Sequence, residues 1–168
     1  MSGRLLLLFL SVLFLNPSIA ETQAVIAESA VSASYKIWIG KFPSDRVKGK
    51  TFLEQPDIQR RIRGALGANA LRDIRQMHVS ERIQEYTDWL LVSGCQPHFC
   101  AYAQWTVAIN MISGDSWVCV AALNSGWLEY GSSKSRLIRV PRQMEEEGCP
   151  EGARMPERFD RLFPAERR

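Results

Sequence analysis

Apolar positions along the chain follow a helical period first and gather in runs of strand formers later. From Pro56, Ile58, Ile62, Ala65 and Leu66 recur three and four residues apart, with a proline suited to a first helical position, and they predict a helix over 56–66. Arg60, Arg61 and Arg63 fall on its other faces and read as a solvated surface, too sparse for a nucleic-acid patch and too short for a membrane-surface helix. Gly67 interrupts the pattern, and Asn69 is placed to cap a second short helix over 70–77. Upstream, Tyr35 to Ile39 alternates in character until Gly40, Pro43 and Gly49 break it, so a weak strand or an ordered loop is expected there.

After His78 the texture changes. Segments 87–93, 101–112, 116–123 and 127–130 are rich in strand formers, and 136–140 reads as a last short strand. Ser113-Gly114-Asp115 and Asn124-Ser125-Gly126 supply turn signals between them. Helices before a run of strands predict an α+β domain built on an antiparallel sheet of about five strands. Trp89, Trp105, Trp117 and Trp127 all fall in the sheet region, where aromatics are expected in core or cross-strand packing rather than in carbohydrate stacking.

The amino terminus reads differently. A basic start at Arg4, an apolar run over 5–15 and small residues at Ser18 and Ala20 before Glu21 match a cleaved secretory signal over 1–20. The apolar run falls short of the about 20 residues that span a bilayer, so stable membrane insertion is not expected. Residues 21–168 then form one exported domain, expected in the periplasm, with 141–168 a charged, proline-punctuated tail.

The net charge of +3 is mild, and its distribution says more. Residues 21–84 carry eleven Lys and Arg against seven Asp and Glu, whereas 85–134 carry Glu85, Asp88, Asp115 and Glu129 against Lys134 alone. The acidic middle is expected to suit a basic partner at the contact face.

Four cysteines, Cys95, Cys100, Cys119 and Cys149, in an oxidising compartment favour two disulfides. Locality favours Cys95–Cys100, which leaves Cys119–Cys149. In the chain-entropy picture the small ring is worth roughly 2 kcal/mol and the larger one roughly 4. The stretch Cys95-Gln96-Pro97-His98-Phe99-Cys100 holds one of only two histidines, and four chemistries compete for it. A zinc site would need a distant fourth ligand, and four residues between the cysteines stand at the edge of the usual spacing. A redox pair wants two intervening residues at a helix start, and a cysteine nucleophile wants a free thiol with an oriented base. A stapled loop needs none of these. Pro97 fixes its own φ and biases Gln96 towards extended geometry, so the ring is preorganised to present His98. No motif implies a cofactor or a metal, and His78 has no visible partner. On residue types alone, an exported cell-envelope binding or structural module, with the loop only a staple, remains the alternative.

The Cys95, Pro97, His98 and Cys100 pattern, between two strands of an exported chain of this size, resembles the Ivy family, the inhibitors of vertebrate lysozyme. At the level of pattern the resemblance spans about residues 54–140; only the six-residue loop is specific. It implies an α-β-α sandwich around an antiparallel sheet, no enzymatic activity, and a periplasmic inhibitor whose loop plugs the active-site cleft of c-type lysozyme with His98. Gln96 and the loop backbone would add hydrogen bonds, and Phe99 and Tyr102 would supply rim contacts. The family also includes dimers, so a homodimer is allowed for. Gln96 and Phe99 stand where familiar members carry a basic residue and an aspartate. That departure predicts a weaker hold on a vertebrate lysozyme, and it admits other muramidases, lytic transglycosylases among them, as partners.

Overall fold

The computed structural model describes residues 34–123, 125–134, 137–141, 148–151 and 154–162. The expected leader, Asn124 of the second turn, Arg136 of the last strand and much of the tail lie outside the described residues.

Helix α1 runs Pro56–Leu66, with its proline in the first turn and Ile58, Ile62, Ala65 and Leu66 buried. Helix α2 runs Ala68–Gln76, two residues earlier than the spacing predicts. Gly67, not Asn69, makes the junction. Its φ of 87° is open to glycine at little cost, and its N–H bonds to the Arg63 carbonyl at 2.9 Å. Tyr35 and Trp38 are both buried, and Trp38 N–H bonds to Tyr35 O at 3.0 Å. A spacing of three with that bond is a helical turn, so the strand-like alternation of 35–39 is overridden by packing.

Seven strands form one antiparallel sheet: β1 Val79–Ser80, β2 Gln84–Tyr86, β3 Trp89–Cys95, β4 Gln104–Asn110, β5 Ser116–Ala121, β6 Trp127–Ser132 and β7 Ile138–Pro141. The order is β1-β3-β4-β5-β6-β7, with β2 also paired to β3. The fold is the expected α+β class. The two strands beyond the expected five are β1 and β2, which share the outer side of β3. With two and three residues each they are too short to show a period.

Both faces of the sheet are apolar, which explains the dense runs in the sequence. Leu90, Val92, Trp105, Val107, Ile109, Val118 and Val120 join α1 and α2 in one core, while Leu91, Ala108, Trp117, Cys119, Leu128 and Tyr130 form a second. Met155 and Phe159 complete the second core. They lie one turn apart on helix α3, Arg154–Leu162, which the charged, proline-bearing sequence did not announce. The Cys119–Cys149 disulfide, Cα atoms 5.7 Å apart, ties β5 to the segment leading into α3. Trp89 stacks on Trp117 at 4.1 Å, and Trp105 is 1% exposed. Trp127 differs from expectation at 48% exposed, because it opens β6 at the end of the sheet.

Arg61 also departs from the solvated face. Its side chain is 18% exposed and bonds to Asp57 at 2.8 Å, to the Tyr35 hydroxyl at 3.0 Å and to the Gly114 carbonyl. It thus joins α1, the Tyr35 turn and the β4–β5 turn. Partial burial alone would raise the Asp57 carboxyl, but hydrogen bonds from Tyr35, Arg60 and Arg61 hold it down at about 2. Burial, with the Asp57 carboxylate beside it, pushes the Tyr35 phenol up to about 12.

Candidate functional site

The site residues singled out from sequence, Cys95, Gln96, Pro97, His98, Phe99, Cys100 and Tyr102, all lie on the connection between β3 and β4. These are the two longest strands of the sheet, paired along their length from Trp89 opposite Asn110 to Cys95 opposite Gln104. The connection is therefore carried by a rigid central hairpin rather than by an edge.

Disulfides join Cys95 to Cys100, with Cα atoms 4.9 Å apart, and Cys119 to Cys149. No cysteine is free, so these sulfurs serve neither as thiolate nucleophiles nor as metal ligands. Within the loop, backbone bonds turn the chain tightly. Gln96 N–H donates to Ala103 O at 3.0 Å, Phe99 N–H to Gln96 O at 3.0 Å, and Tyr102 and Ala103 N–H both to Phe99 O at 2.8 Å. His98 has φ +65°, a left-handed conformation that costs a residue with a β-carbon about 1 kcal/mol and persists where the surroundings fix it. Gln96 and Pro97 are half-buried; His98, Phe99 and Tyr102 are exposed, the last two at 43% and 62%. The root of the loop is half-buried and its imidazole and rings face outwards.

Two residues that sequence reasoning missed shape the root. Gly94 lies where a β-carbon would come within 2.6 Å of Trp105 Nε1 and 2.7 Å of Val79 O, so β1 and the Trp105 indole close tightly on β3 just before Cys95. Gln104 sits opposite Cys95, its Nε2 donating to Cys100 O and its Oε1 accepting from Cys149 N–H at 3.0 Å. A polar residue at a strand position of inward parity was the signal available for Gln104, and sequence gives no partner for it.

Of the acidic residues expected at the contact face, Glu129 lies opposite Val120, which faces Trp105 and through it Gly94, and so is level with the loop end of the sheet, whereas Asp88 and Asp115 lie at the far end. Asp88 precedes β3 and Asp115 precedes β5, while the loop follows β3; seven strand residues separate these ends by about 20 Å. Asp115 is paired with Lys134 at 2.8 Å and Glu129 with Arg139 at 2.9 Å. Charge clustered in sequence is thus dispersed by the up-and-down course of the meander. What the loop offers a partner is an imidazole, two aromatic rings and backbone groups.

His78 lines a cavity of about 420 Å³ with Glu54, Arg75, Ser80 and Trp105, on the helical side of the root. Glu54 is occupied there: it accepts from Thr51 N–H at 2.8 Å, a bond that holds its carboxyl below the ordinary range. Among the described residues no group of three or more His, Cys, Asp or Glu side chains is placed to hold a metal ion. No described helix is long and apolar enough to cross a membrane.

A family model described as "Inhibitor of vertebrate lysozyme (Ivy)" matches residues 57–147, more than half of the chain, from the first turn of α1 through the whole sheet and its loop. No curated protein and no solved structure matches the chain.

Proposed function

We propose, because the chain belongs to the Ivy family of inhibitors of vertebrate lysozyme, that it is exported to the periplasm and there plugs the cleft of a muramidase with the Cys95–Cys100 loop. The observation that carries this reading is the exposed His98 at φ +65° on a disulfide-closed turn at the end of the central hairpin. A glycosidase of this class cleaves between two carboxyl groups that substrate reaches through a groove. An imidazole on a rigid tip enters such a groove ahead of the sugar and hydrogen-bonds to those carboxyl groups. In its protonated form it makes charge-assisted bonds that offset desolvation. Preorganisation matters because a loop already fixed loses little entropy on docking.

Phe99 and Tyr102 act as the apolar rim around the plug, and Gln96 adds hydrogen bonds at its base. With Asp88 and Asp115 at the far end of the sheet and Glu129 paired with Arg139, the contact relies on the loop's own shape rather than on steering by charge. The target is a c-type lysozyme or a related muramidase such as a lytic transglycosylase. The inhibitor has no catalytic residue of its own and works as a monomer or a homodimer.

The test is a peptidoglycan-clearing assay with purified residues 21–168 against a panel of c-type lysozymes and lytic transglycosylases. Inhibition of a panel member that is relieved by raising the substrate concentration is expected. Full activity of every enzyme at micromolar inhibitor would overturn the proposal.

A further inference from the structure

Four observations converge on the back of the loop. Gln104 opens β4 opposite Cys95, and its amide makes two bonds of opposite sense. Nε2 donates to the carbonyl of Cys100, which closes the loop, and Oε1 accepts from the N–H of Cys149, 45 residues along the chain. Cys149 is 2% exposed and bonded to Cys119, which is fully buried in β5. Gly148, at φ +68°, lies flat against the same amide, where a β-carbon would overlap Oε1. Position 148 thus favours glycine for its backbone, and a β-carbon there would displace the Gln104 amide. The backbone bonds of the loop are confined to residues 96–103. The Gln104 amide ties it, among the described residues, to a covalently anchored segment of the second core.

We infer that Gln104 is a positioning residue for the inhibitory loop, transmitting the constraint of the Cys119–Cys149 disulfide to the Cys100 carbonyl and so to the backbone that presents His98. Both disulfides then serve inhibition, one by closing the ring and one by bracing it from behind. Reduction of Cys119–Cys149, which consumes two electrons and two protons from an external dithiol and leaves two thiols, frees the 148–151 segment and slackens the brace. The inference rests on the inhibitory reading for its functional consequence, and on geometry alone for the coupling.

The experiment is a double-mutant cycle on the full mature chain, with Gln104→Met, the pair Cys119→Ala with Cys149→Ala, and the combination. Gln104→Glu is added because it keeps the acceptor for Cys149 N–H and loses the donor to Cys100 O. Amide hydrogen exchange of Phe99, Tyr102 and Ala103, inhibition of the muramidase and the melting midpoint are read for each. Gln104→Met and Gln104→Glu are expected to speed exchange at these amides and to weaken inhibition about threefold to tenfold, the scale of one ordinary hydrogen bond. The disulfide pair is expected to do the same, and the combination to add little to either alone. Losses of loop protection that multiply, or unchanged exchange in Gln104→Met, would overturn the coupling. If the wild-type chain inhibits no muramidase, the exchange cycle still decides the coupling, and only the functional reading falls.

Discussion

The Phe159 ring lies 2° from parallel to the Trp117 indole, with centroids 4.8 Å apart. Trp89 stacks on the other partner of this pair and Tyr130 meets Phe159 edge-on at 5.8 Å. A helix from the charged carboxyl-terminal region is thereby fastened to a face of the sheet that would otherwise expose tryptophan. Offset and edge contacts of this kind contribute beyond the area they bury.

Phe159→Ala is therefore expected to destabilise the domain by about 3–5 kcal/mol, the range for an aromatic removed from a packed core. Urea denaturation of the mature chain measures it. A loss under about 1 kcal/mol would mean that α3 is an ornament on the sheet rather than a layer of the fold.

Helix α1 meets the sheet at Gly131, where a β-carbon would overlap the carbonyl oxygen of Ala65 and crowd Leu66. Backbone, unlike a flexible side chain, has nowhere to go. Gly131→Ala is expected to cost about 1–3 kcal/mol through overpacking, seen as a lower denaturation midpoint with unchanged slope.

Stability should also fall in acid, with Asp57 the partly buried contributor beside the exposed Glu54 carboxyl. Asp57 is held at about 2 in the fold against an ordinary 3.8, so the fold favours its charged form. That contribution is complete above about pH 4, declines as pH falls towards 2 and is absent below. With the Asp57 side chain 38% exposed, solvent screening keeps it modest. Tyr35, pushed up to about 12, has the opposite sense: its contribution is present below pH 10 and is lost between about 10 and 12. Melting midpoints across pH should show a shallower acid limb in Asp57→Asn and a shallower alkaline limb in Tyr35→Phe. Limbs that are unchanged in these variants would assign them to other groups.

The sequence made some layers plain and left others hidden, for physical reasons. Helix α1 was legible because its apolar residues keep one period, and the five main strands because dense runs of strand formers are divided by turns that carry Gly, Asn and Asp. Helix α3 was not, since Met155 and Phe159 are only two apolar anchors among charges, and a tertiary surface is needed to make them a face. Arg61 looked like its neighbours Arg60 and Arg63, and only the approach of Tyr35 and Gly114 from distant segments distinguishes it. At the loop, composition located Cys95 to Cys100, whereas Gln104 and Gly94 depend on what lies across the strands, which a single chain does not display.

Phe99 occupies the exposed flank of His98, where the family resemblance places an aspartate. Phe99→Asp is expected to tighten binding to a vertebrate c-type lysozyme, because a carboxylate there meets a basic enzyme surface and adds a charge-assisted contact. Dissociation constants for both forms at low and moderate salt test this. Weaker binding of the variant to every lysozyme would assign Phe99 a recognition role of its own, for a different muramidase.

The central claim is that His98 is the plug. Its most direct measurement is the inhibition constant of His98→Ala against the muramidase most sensitive to the wild-type chain, with both disulfides verified by mass. The side chain is exposed, so the fold should survive the change. A loss of inhibition of about 30-fold or more, the mark of an interface hot spot, is the predicted result. Undiminished inhibition by His98→Ala would contradict the account.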